Sequence, residues 1–281
     1  MTGIIDVGGG LRDIYGAGVF DRLLCDGVDF DRLYGISAGS ANIASFTARQ
    51  FGRNYKFFNI YSNRRDYMGL YAFLKCGSFF NLDYVYSTLT NSDGENPLDF
   101  EQMTKYPGVI TTIATRGWDG KPEYFSLNDY KQDDYSVIKG SCAIPVFCKP
   151  KKIHGREYFD GGLSDPLPVD KALSDGVDRL VVILTKPKEE RMPETGNFAL
   201  THRLMPTYPE IAEEIYRRGK FYNDSLEKVI ELEKEGKALI IAPEELFGVT
   251  TTSHPKDGMR KLYAEGFHDG GKIKDFIYNE K

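Results

Sequence analysis

One stretch near the amino terminus decides what fold and what chemistry to expect from this chain: Leu33-Tyr34-Gly35-Ile36-Ser37-Ala38-Gly39. Apolar residues come first and small, helix-permissive residues follow, so the stretch predicts a strand, a tight turn and a helix. Such a turn holds its central serine in a strained backbone conformation, and side chains at Gly35 and Gly39 would collide with the strand and helix that meet there. Ser37 is therefore the candidate nucleophile, although small residues also begin many ordinary helices.

A second glycine turn lies upstream, where the apolar run Thr2-Gly3-Ile4-Ile5-Asp6-Val7 leads into Gly8-Gly9-Gly10-Leu11-Arg12. A strand that ends in three glycines exposes backbone N–H groups that can converge on an anion. The dinucleotide fingerprint G-x-G-x-x-G fails at Asp13, and no Gly-Lys-Ser/Thr of a phosphate-binding loop follows. We therefore predict an oxyanion hole formed by Gly8, Gly9 and Gly10, with the positive charge of Arg12 nearby. The alternative is a turn that only lets a helix pack closely on a strand.

A third motif lies downstream and reads Glu157-Tyr158-Phe159-Asp160-Gly161-Gly162. It places a carboxylate at the end of an expected strand and before another glycine turn. Asp160 is the candidate general base, because a carboxylate beside a serine can accept its proton. An isolated Asp-Gly is also the usual sequence of an Asx turn, so this assignment depends on the two motifs upstream.

The three motifs Gly-Gly-Gly-x-Arg, Gly-x-Ser-x-Gly and Asp-Gly-Gly, in this order, resemble those of the patatin-like phospholipases. Three further segments are similar to what that family carries around its site: Tyr15-Gly16-Ala17-Gly18-Val19-Phe20, Ser141-Cys142-Ala143-Ile144-Pro145 and Gly162-Leu163-Ser164-Asp165-Pro166-Leu167-Pro168-Val169. The resemblance covers roughly residues 3–185, whereas residues 186–281 contain no motif that we can match.

The resemblance implies a Ser-Asp dyad in which Ser37 attacks the acyl carbonyl, Asp160 takes its proton and the glycine loop holds the oxyanion. Members of the family work without a catalytic histidine. The histidines of this chain lie in no comparable motif: His154, His202, His254 and His268. A conventional Ser-Asp-His triad would require His254 or His268 to reach Ser37.

The dyad requires Asp160 to be a stronger base than an aspartate in water, whose pKa of about 3.9 is low for drawing a proton from serine. We expect burial against apolar groups to raise the pKa of Asp160. The chain departs from the family pattern at Asp13, where a glycine is usual. This carboxylate could neutralise Arg12, and it puts the local geometry of the oxyanion loop in question.

Short apolar runs alternate with helical periodicity along the chain, which predicts an α/β fold with a mostly parallel central sheet. The predicted strands are Ile4–Val7, Arg32–Ile36, Val109–Thr115, Arg179–Leu184 and Lys237–Ala242. The resemblance implies a three-layer α/β/α sandwich of the patatin type. We divide the chain into a catalytic domain at residues 3–185 and a mainly helical region at residues 186–281 that packs on the same domain. A long amphipathic helix is predicted within that region at residues 209–236.

Composition limits the function classes. The chain has 281 residues, a net charge of -5 and a pI near 5.5, which argues against a nucleic-acid-binding protein. The cysteines show no metal-ligand spacing and the acidic residues form no calcium-binding loop, so we predict no metal, no cofactor and activity that survives a chelator. The sequence shows neither a signal peptide nor an apolar run of about 20 residues, which predicts a cytoplasmic protein.

Two segments bear on how a lipid would be bound. Aromatic residues crowd residues 57–86 and suit an acyl-chain pocket or a lid, although aromatics at helical spacing also build ordinary cores: Phe57, Phe58, Tyr61, Tyr67, Tyr71, Phe73, Phe79, Phe80, Tyr84 and Tyr86. The basic run Lys149-Pro150-Lys151-Lys152 could attract anionic headgroups, or it could be a solvated hairpin tip. Contact with a membrane would be peripheral.

These observations lead to the hypothesis of a lipid acyl hydrolase that forms an acyl-enzyme on Ser37. A small-ester hydrolase or thioesterase is the nearest alternative. A lipid- or protein-binding module with little turnover is an alternative of another class, motivated by Asp13. A phosphate-binding transferase is a third possibility, which tight nucleotide binding would support.

Overall fold

The computed structural model describes residues 1–195, 201, 203 and 206–278; His202 lies outside them. Within these residues, an eight-stranded sheet forms the centre of the molecule. Its strands are β1 (Thr2–Asp6), β2 (Arg32–Ile36), β3 (Val109–Arg116), β4 (Pro122–Ser126), β5 (Lys151–Ile153), β6 (Arg156–Asp160), β7 (Arg179–Ile183) and β8 (Ala238–Ile241).

The strands follow the order β5-β6-β3-β2-β1-β7-β8, and β4 pairs with β3 outside this path. The run from β3 through β2, β1 and β7 to β8 is parallel throughout. The remaining pairs, β3 with β4, β3 with β6 and β5 with β6, are antiparallel. The sheet is therefore mixed and mostly parallel, as the alternating sequence pattern predicts.

Helices cover this sheet and connect its parallel strands. They are α1 (Ile14–Asp26), α2 (Ala38–Thr47), α3 (Arg53–Asn59), α4 (Leu70–Cys76), α5 (Phe100–Thr104), α6 (Ser136–Ser141), α7 (Val169–Ser174), α8 (Pro209–Lys234) and α9 (Lys256–Tyr278). Single helical turns occur at residues 10–13, 61–63, 84–88, 127–129 and 161–163.

The two faces of the sheet are buried under different helices. Successive side chains of a strand point to opposite faces, and in β1 Ile4 and Ile5 accordingly belong to separate apolar clusters. The cluster that contains Ile4 includes residues of α1, α2 and α9, whereas the cluster around Ile5 includes residues of α7 and α8. This arrangement is the expected three-layer α/β/α sandwich. The β8 strand extends the same sheet, so the carboxy-terminal part of the chain shares its core.

The topology brings the three sequence motifs to one edge of the sheet. The parallel neighbours β1 and β2 end at the same edge, and the glycine loop and Ser37 follow directly after them. Ile36 of β2 pairs with Ile113 of β3, and the next residue, Ala114, pairs with Asp160 of the antiparallel strand β6. Asp160 thus lies near Ser37, at the end of a strand that runs antiparallel to β2 and β3.

The sequence pattern does not predict β4 or β5. β5 has only three residues, and β4 is mostly half-exposed or exposed, so neither has a strong apolar signature. The basic run is also placed differently from its expected position at a hairpin tip. Lys151 and Lys152 belong to β5, and the turn of the β5–β6 hairpin lies at residues 154–155.

α1 and α9 pack against each other through glycines on both helices. A side chain at Gly18 would overlap the Tyr263 carbonyl oxygen, and a side chain at Gly266 would overlap the Tyr15 carbonyl oxygen. The two helix backbones therefore approach closely, and neither position has room for a methyl group.

Replacement of one of these glycines tests the contact. We expect Gly266→Ala to lower the free energy of unfolding by about 1 to 3 kcal/mol, because the methyl group meets backbone that cannot move aside. The matched control is Gly271→Ala on the same helix, where the new methyl group would meet only the mobile end of Arg22 at 2.9 Å. The control should be neutral or stabilising by up to about 1 kcal/mol, since alanine favours helix. Urea unfolding followed by circular dichroism measures both; equal destabilisation of the two variants would contradict the packing argument.

Candidate active site

Ser37 lies at the sharp turn between β2 and α2, in a backbone conformation that few residues other than glycine adopt. Its φ is 54° and its ψ is −129°, and the residue is 6% exposed. Its N–H donates to Ser141 Oγ at 2.9 Å, and the Ser141 hydroxyl donates to the Ile113 carbonyl oxygen at 2.6 Å. Contacts with α6 and β3 thus hold the strained turn in place, in addition to its contacts with α2.

The glycines beside Ser37 are required by close contacts. A Cβ atom at Gly35 would lie 2.6 Å from Ser40 Cα, and one at Gly39 would lie 2.8 Å from Asp6 Oδ1. Real Cβ atoms do not approach other heavy atoms so closely. The spacing of the two glycines around Ser37 therefore follows from the packing of β1, β2 and α2.

Asp160 ends β6 and is 5% exposed. Its Oδ1 accepts the Gly162 N–H at 2.8 Å, its N–H donates to the Ala143 carbonyl at 3.0 Å, and its own carbonyl accepts the Thr115 hydroxyl at 2.8 Å. The other carboxylate oxygen, Oδ2, is buried and has no hydrogen-bond partner among the described residues. The backbone around Asp160 is fixed, and one oxygen remains available to accept a proton.

Burial raises the pKa of Asp160, whereas an interaction with the Ser37 hydroxyl, the charge of Arg218 and the Gly162 N–H act in the opposite direction. The net shift is upward, as a general base requires. The Ser37 hydroxyl forms no hydrogen bond of standard geometry with Oδ2, which is buried without a partner among the described residues. Catalytic hydrogen bonds commonly tighten only when substrate is bound.

The N–H groups of the glycine loop differ in whether they have an acceptor among the described residues. Gly8 N–H donates to Asp6 Oδ1 at 3.1 Å, and the Gly8 carbonyl accepts the Thr185 hydroxyl. The sequence predicts Gly8 as an oxyanion donor, but the Asp6 carboxylate accepts its N–H. Gly9 and Gly10, whose φ angles are 141° and 64°, donate to no acceptor among the described residues. They remain the candidate oxyanion donors from this loop.

Ser37 opens onto two cavities of different size. The narrow one has a volume of about 50 Å³ and is lined mainly by apolar side chains: Leu11, Ala38, Phe58, Tyr67, Phe80, Leu82, Val85, Tyr86, Cys142 and Ile144. The wide one has a volume of about 580 Å³ and includes Gly9, Gly10, Arg12, Asp160 and Arg218 in its lining. Part of the aromatic segment therefore lines a pocket at Ser37, while Phe57 and Tyr61 pack in an apolar cluster that shares Tyr67 and Val85 with the pocket lining.

Comparison with known proteins agrees with this arrangement. A family model described as patatin-like phospholipase matches residues 7–173. This chain belongs to the patatin-like phospholipase family. A second family model, a domain of unknown function (DUF6363), matches residues 208–277 of this patatin-like protein, which include α8 and most of α9.

Two individual proteins are similar to this patatin-like chain. The uncharacterized protein YjjU of Escherichia coli (strain K12) is 32% identical over 187 residues, which cover 65% of this chain and 51% of YjjU. The chain thus spans about half the length of this curated relative. The crystal structure of VipD from Legionella pneumophila aligns with 98% of this chain and 66% of that chain, with a TM-score of 0.48 and 15% identity.

Asp13, where this chain departs from the patatin pattern, lies beside Asp6 and not in the lining of either cavity. Both carboxyls are fully buried. Asp6 accepts N–H groups from Gly8 and from the Asn42 side chain, each at 3.1 Å, whereas neither Asp13 oxygen receives a hydrogen bond from a described donor. A hydrogen bond between these two neighbouring carboxyls requires a proton on one of them.

The pKa values of both acids agree with this proton placement. Burial and the neighbouring charge of Asp6 raise the pKa of Asp13 well above its ordinary value. Burial also raises the pKa of Asp6, to about 6, while the hydrogen bonds from Gly8, Asn42 and Asp13 act against it. We therefore expect Asp13 to be the protonated member of the pair, and among the described residues it forms no ion pair with Arg12.

Several supporting residues carry no recognisable sequence signal. Ser141 lies in a segment that resembles the family, yet nothing in that segment marks its hydroxyl as the acceptor for Ser37 N–H. Arg218 is one of two adjacent arginines on an amphipathic helix, and the sequence does not distinguish it from Arg217. Only the contacts of the folded chain assign these roles.

The histidines offer no triad among the described residues. No described histidine lines either cavity at Ser37, and His154 contacts Asp129 at 3.2 Å on the surface. Over the residues that the structure describes, no group of three or more His, Cys, Asp or Glu side chains is placed to hold a metal ion. Nor does this part of the chain contain a helix long and apolar enough to span a bilayer.

Replacement of Asp13 by asparagine tests its protonation state. In the wild type the folded chain holds a proton that the unfolded chain releases above about pH 4, so this group makes the protein less stable as pH rises. Asp13→Asn removes that proton uptake and keeps an N–H donor for Asp6. We expect the variant to gain about 1 to 3 kcal/mol relative to wild type between pH 4.5 and pH 8.

Urea unfolding at the two pH values measures this difference. Asp257→Asn, at an exposed site on α9, is the control and should follow the wild type at both pH values. If Asp13→Asn also tracked the wild type, Asp13 would not be the protonated member of the pair.

Proposed function

We propose that this protein is a serine acyl hydrolase that cleaves lipid esters through Ser37 and Asp160. The observation that carries the proposal is the position of Ser37 at a strained turn between a narrow apolar pocket and a wide cleft that contains two arginines, with the free oxygen of buried Asp160 beside it. In this arrangement an ester can lie with its acyl chain in the pocket and its alcohol part in the cleft.

The proposed reaction has two halves. Ser37 Oγ attacks the carbonyl carbon while its proton passes to Asp160 Oδ2, and the oxyanion that forms accepts hydrogen bonds from Gly9 and Gly10 N–H. The intermediate collapses, the C–O bond to the alcohol breaks, and the alcohol leaves with the proton from Asp160. A water molecule then attacks the acyl-serine and gives its proton to Asp160. Release of the acid returns that proton to Ser37.

The narrow pocket bears on the choice among esters. Its volume of about 50 Å³ has room for about four water-sized groups, which favours a short acyl segment. A small-ester hydrolase is therefore the second candidate function. The binding-module alternative was motivated by Asp13, and that side chain is directed to Asp6.

Hydrolysis of p-nitrophenyl esters from acetate to octanoate, in EDTA, tests the reaction. We expect turnover by wild type with the shorter chains preferred, and a loss of at least about a thousandfold in kcat/KM for Ser37→Ala and for Asp160→Asn, because each removes a reacting group. Ser174→Ala, at an exposed site on α7, is the control and should match wild type.

A fluorophosphonate probe complements the kinetics and should label wild type but not Ser37→Ala. Absence of labelling and of turnover in the wild type would favour the binding-module function. Loss of turnover in EDTA, restored by Ca²⁺, would contradict the metal-independent mechanism.

Peripheral contact with a lipid surface is part of the proposal and rests on α4. This helix exposes large apolar side chains at Leu70, Phe73 and Leu74, which are 73%, 50% and 75% exposed. The spacing of these residues places them on one face of the helix. The α4 helix lies in the chain between Tyr67 and Phe80, both of which line the narrow pocket. A lipid surface that covers this face would thus lie next to the entrance for an acyl chain.

Vesicle co-sedimentation tests this contact. The probe is vesicles of phosphatidylglycerol and phosphatidylcholine in a 3:7 molar ratio. The double variant Leu70→Ser/Leu74→Ser should bind at least about tenfold more weakly, because each buried leucine contributes roughly 1.5 to 3 kcal/mol. Leu173→Ser removes a 41% exposed leucine from α7 and should bind like wild type. Equal binding by all three proteins would exclude α4 as the contact.

A further inference from the structure

Apolar side chains form a large part of the wide cleft, in addition to its two arginines. They come from four segments of the chain: Ile144, Pro145 and Phe147, then Leu163, then Met192, and finally Ile215. An apolar lining with a small number of polar groups is typical of cavities that bind an apolar ligand.

Several of these apolar residues lie close to Asp160. The Asp160 N–H donates to the Ala143 carbonyl at 3.0 Å, which places the following residue, Ile144, near the base. Leu163 ends the helical turn that begins directly after Asp160, and it packs with Ile215 of α8 in one apolar cluster. A group next to Asp160 in the cleft is therefore also next to apolar surface.

Backbone contacts hold two other parts of this apolar wall in place. The Phe147 carbonyl accepts the Phe79 N–H at 2.6 Å, and the two rings pack edge to face with 5.6 Å between their centroids. The Met192 N–H and carbonyl both bond to the Asn223 side chain of α8, each at 2.9 Å. A ligand that packs on a preformed wall loses less affinity to the ordering of side chains.

The position of Asp160 decides which part of an ester faces this wall. Among the described residues, Asp160 belongs to the lining of the wide cleft and not to that of the narrow pocket. In the proposed reaction Asp160 Oδ2 passes the proton of Ser37 to the alcohol oxygen as the C–O bond breaks, so that oxygen must come within hydrogen-bond reach. The alcohol therefore lies in the wide cleft and the acyl chain in the narrow pocket.

The sizes of the two cavities then limit the two halves of the ester. The narrow pocket, at about 50 Å³, has room for about four water-sized groups. The wide cleft, at about 580 Å³, is more than ten times larger and falls in the range of cavities that hold whole small-molecule ligands, roughly 300 to 1,000 Å³. Only the alcohol half of the ester can therefore be large.

The two arginines of the cleft lie beside groups that become charged in the proposed reaction. Arg12 Nη2 lies 3.2 Å from the position of a Cβ atom on Gly9, a candidate oxyanion donor. Arg218 lies close enough to Asp160 for its charge to act on the pKa of that carboxyl. The reacting oxyanion and carboxylate thus supply the negative charge near both arginines, and the alcohol needs none.

We infer that the substrates are esters of a short acid with a large apolar alcohol, whose chain packs against Phe147, Leu163, Met192 and Ile215. The inference rests on the proposed hydrolase function for its reaction, whereas the binding of an apolar alcohol in the cleft does not require turnover. Ile215 belongs to the region matched by the second family model, so this region takes part in the selection of the alcohol.

Two isomeric esters test the assignment: octyl butanoate and butyl octanoate. They have the same atoms and differ only in which side of the ester carries the longer chain. We expect wild type to cleave octyl butanoate with a kcat/KM at least about tenfold higher, because each additional methylene group in apolar surroundings contributes roughly fourfold. Gas chromatography of the released alcohol measures both rates. Equal rates, or a preference for butyl octanoate, would overturn the assignment.

A third ester, 1-butanoylglycerol, tests the polarity of the alcohol. It has the same acyl group as octyl butanoate but a polar alcohol that cannot use the apolar wall. We expect its kcat/KM to be at least about tenfold lower than that of octyl butanoate, for the same reason. Equal or faster cleavage of 1-butanoylglycerol would overturn the apolar character of the subsite.

Variants of the wall test which residues contact the alcohol. The kcat/KM ratio of octyl butanoate to ethyl butanoate should fall at least threefold in Ile215→Thr and in Met192→Gln, since each adds a polar group to the wall. Ile230→Thr, on the same helix, is the matched control and should keep the wild-type ratio, because Ile230 packs on the cluster around Ile5. Met192→Gln decides the test if Ile215→Thr does not fold. An unchanged ratio in a folded Met192→Gln protein would contradict the inference.

Binding of alcohols separates this inference from the hydrolase function. Ser37→Ala protein is titrated calorimetrically with 1-octanol and 1-butanol, and 1-octanol should bind at least about tenfold more tightly, with most of this difference lost when Met192→Gln is added. Equal affinity for the two alcohols would overturn the subsite. If wild type cleaved none of the esters while 1-octanol binding still depended on Met192, the hydrolase proposal would fail and the apolar subsite would stand.

Discussion

The buried carboxylate of Asp6 holds together the two turns on which the site depends. It accepts N–H groups from Gly8 in the glycine loop and from Asn42 on α2, and it occupies the space that a side chain at Gly39 would need. A fully buried carboxylate is tolerated only when its oxygens are hydrogen-bonded, so these contacts are required together. They align the glycine loop with the turn that carries Ser37, and the carboxyl of Asp13 lies beside Asp6 in the same buried group.

Ser37 lies where a narrow apolar pocket meets a wide cleft that contains two arginines. Aromatic and aliphatic side chains line the narrow pocket at Ser37, while Arg12 and Arg218 belong to the lining of the wide cleft. Burial raises the pKa of Asp160, and the positive charge of Arg218 limits that rise. Arg218 thus affects the pKa of Asp160 and also adds positive charge to the lining of the cleft. In the proposed function, this arrangement gives the ester a direction, with its acyl chain in the pocket and its alcohol part in the cleft.

The carboxy-terminal part of the chain is structurally continuous with the rest. The β8 strand extends the parallel sheet, α8 covers one face beside α7, and α9 packs on α1 through glycine contacts on the other. Because α8 supplies Arg218 to the cleft, this region contributes to the site as well as to the core. Its contribution explains why a family model limited to residues 7–173 does not contain every residue around Ser37.

The sequence by itself determined the architecture and the reacting residues to be expected, because both depend on local patterns. All five predicted strands occur in the sheet with their ends shifted by at most two residues, since buried parallel strands form continuous apolar runs. The short, partly exposed strands β4 and β5 lack such runs and were not predictable. The assignments of Ser37 and Asp160 likewise came from motifs read along the chain, and they stay predictions until activity is measured.

Tertiary structure alone decided how the neighbouring polar groups are used. Gly8 and Gly9 are adjacent and look equivalent in sequence, yet Gly8 N–H is taken by Asp6 whereas Gly9 N–H is not. Arg217 and Arg218 are also adjacent, yet Arg217 pairs with Glu213 and Arg218 lines the cleft that contains Ser37. Such roles depend on groups far apart in the chain, and a local pattern contains no information about which distant partner a side chain will meet.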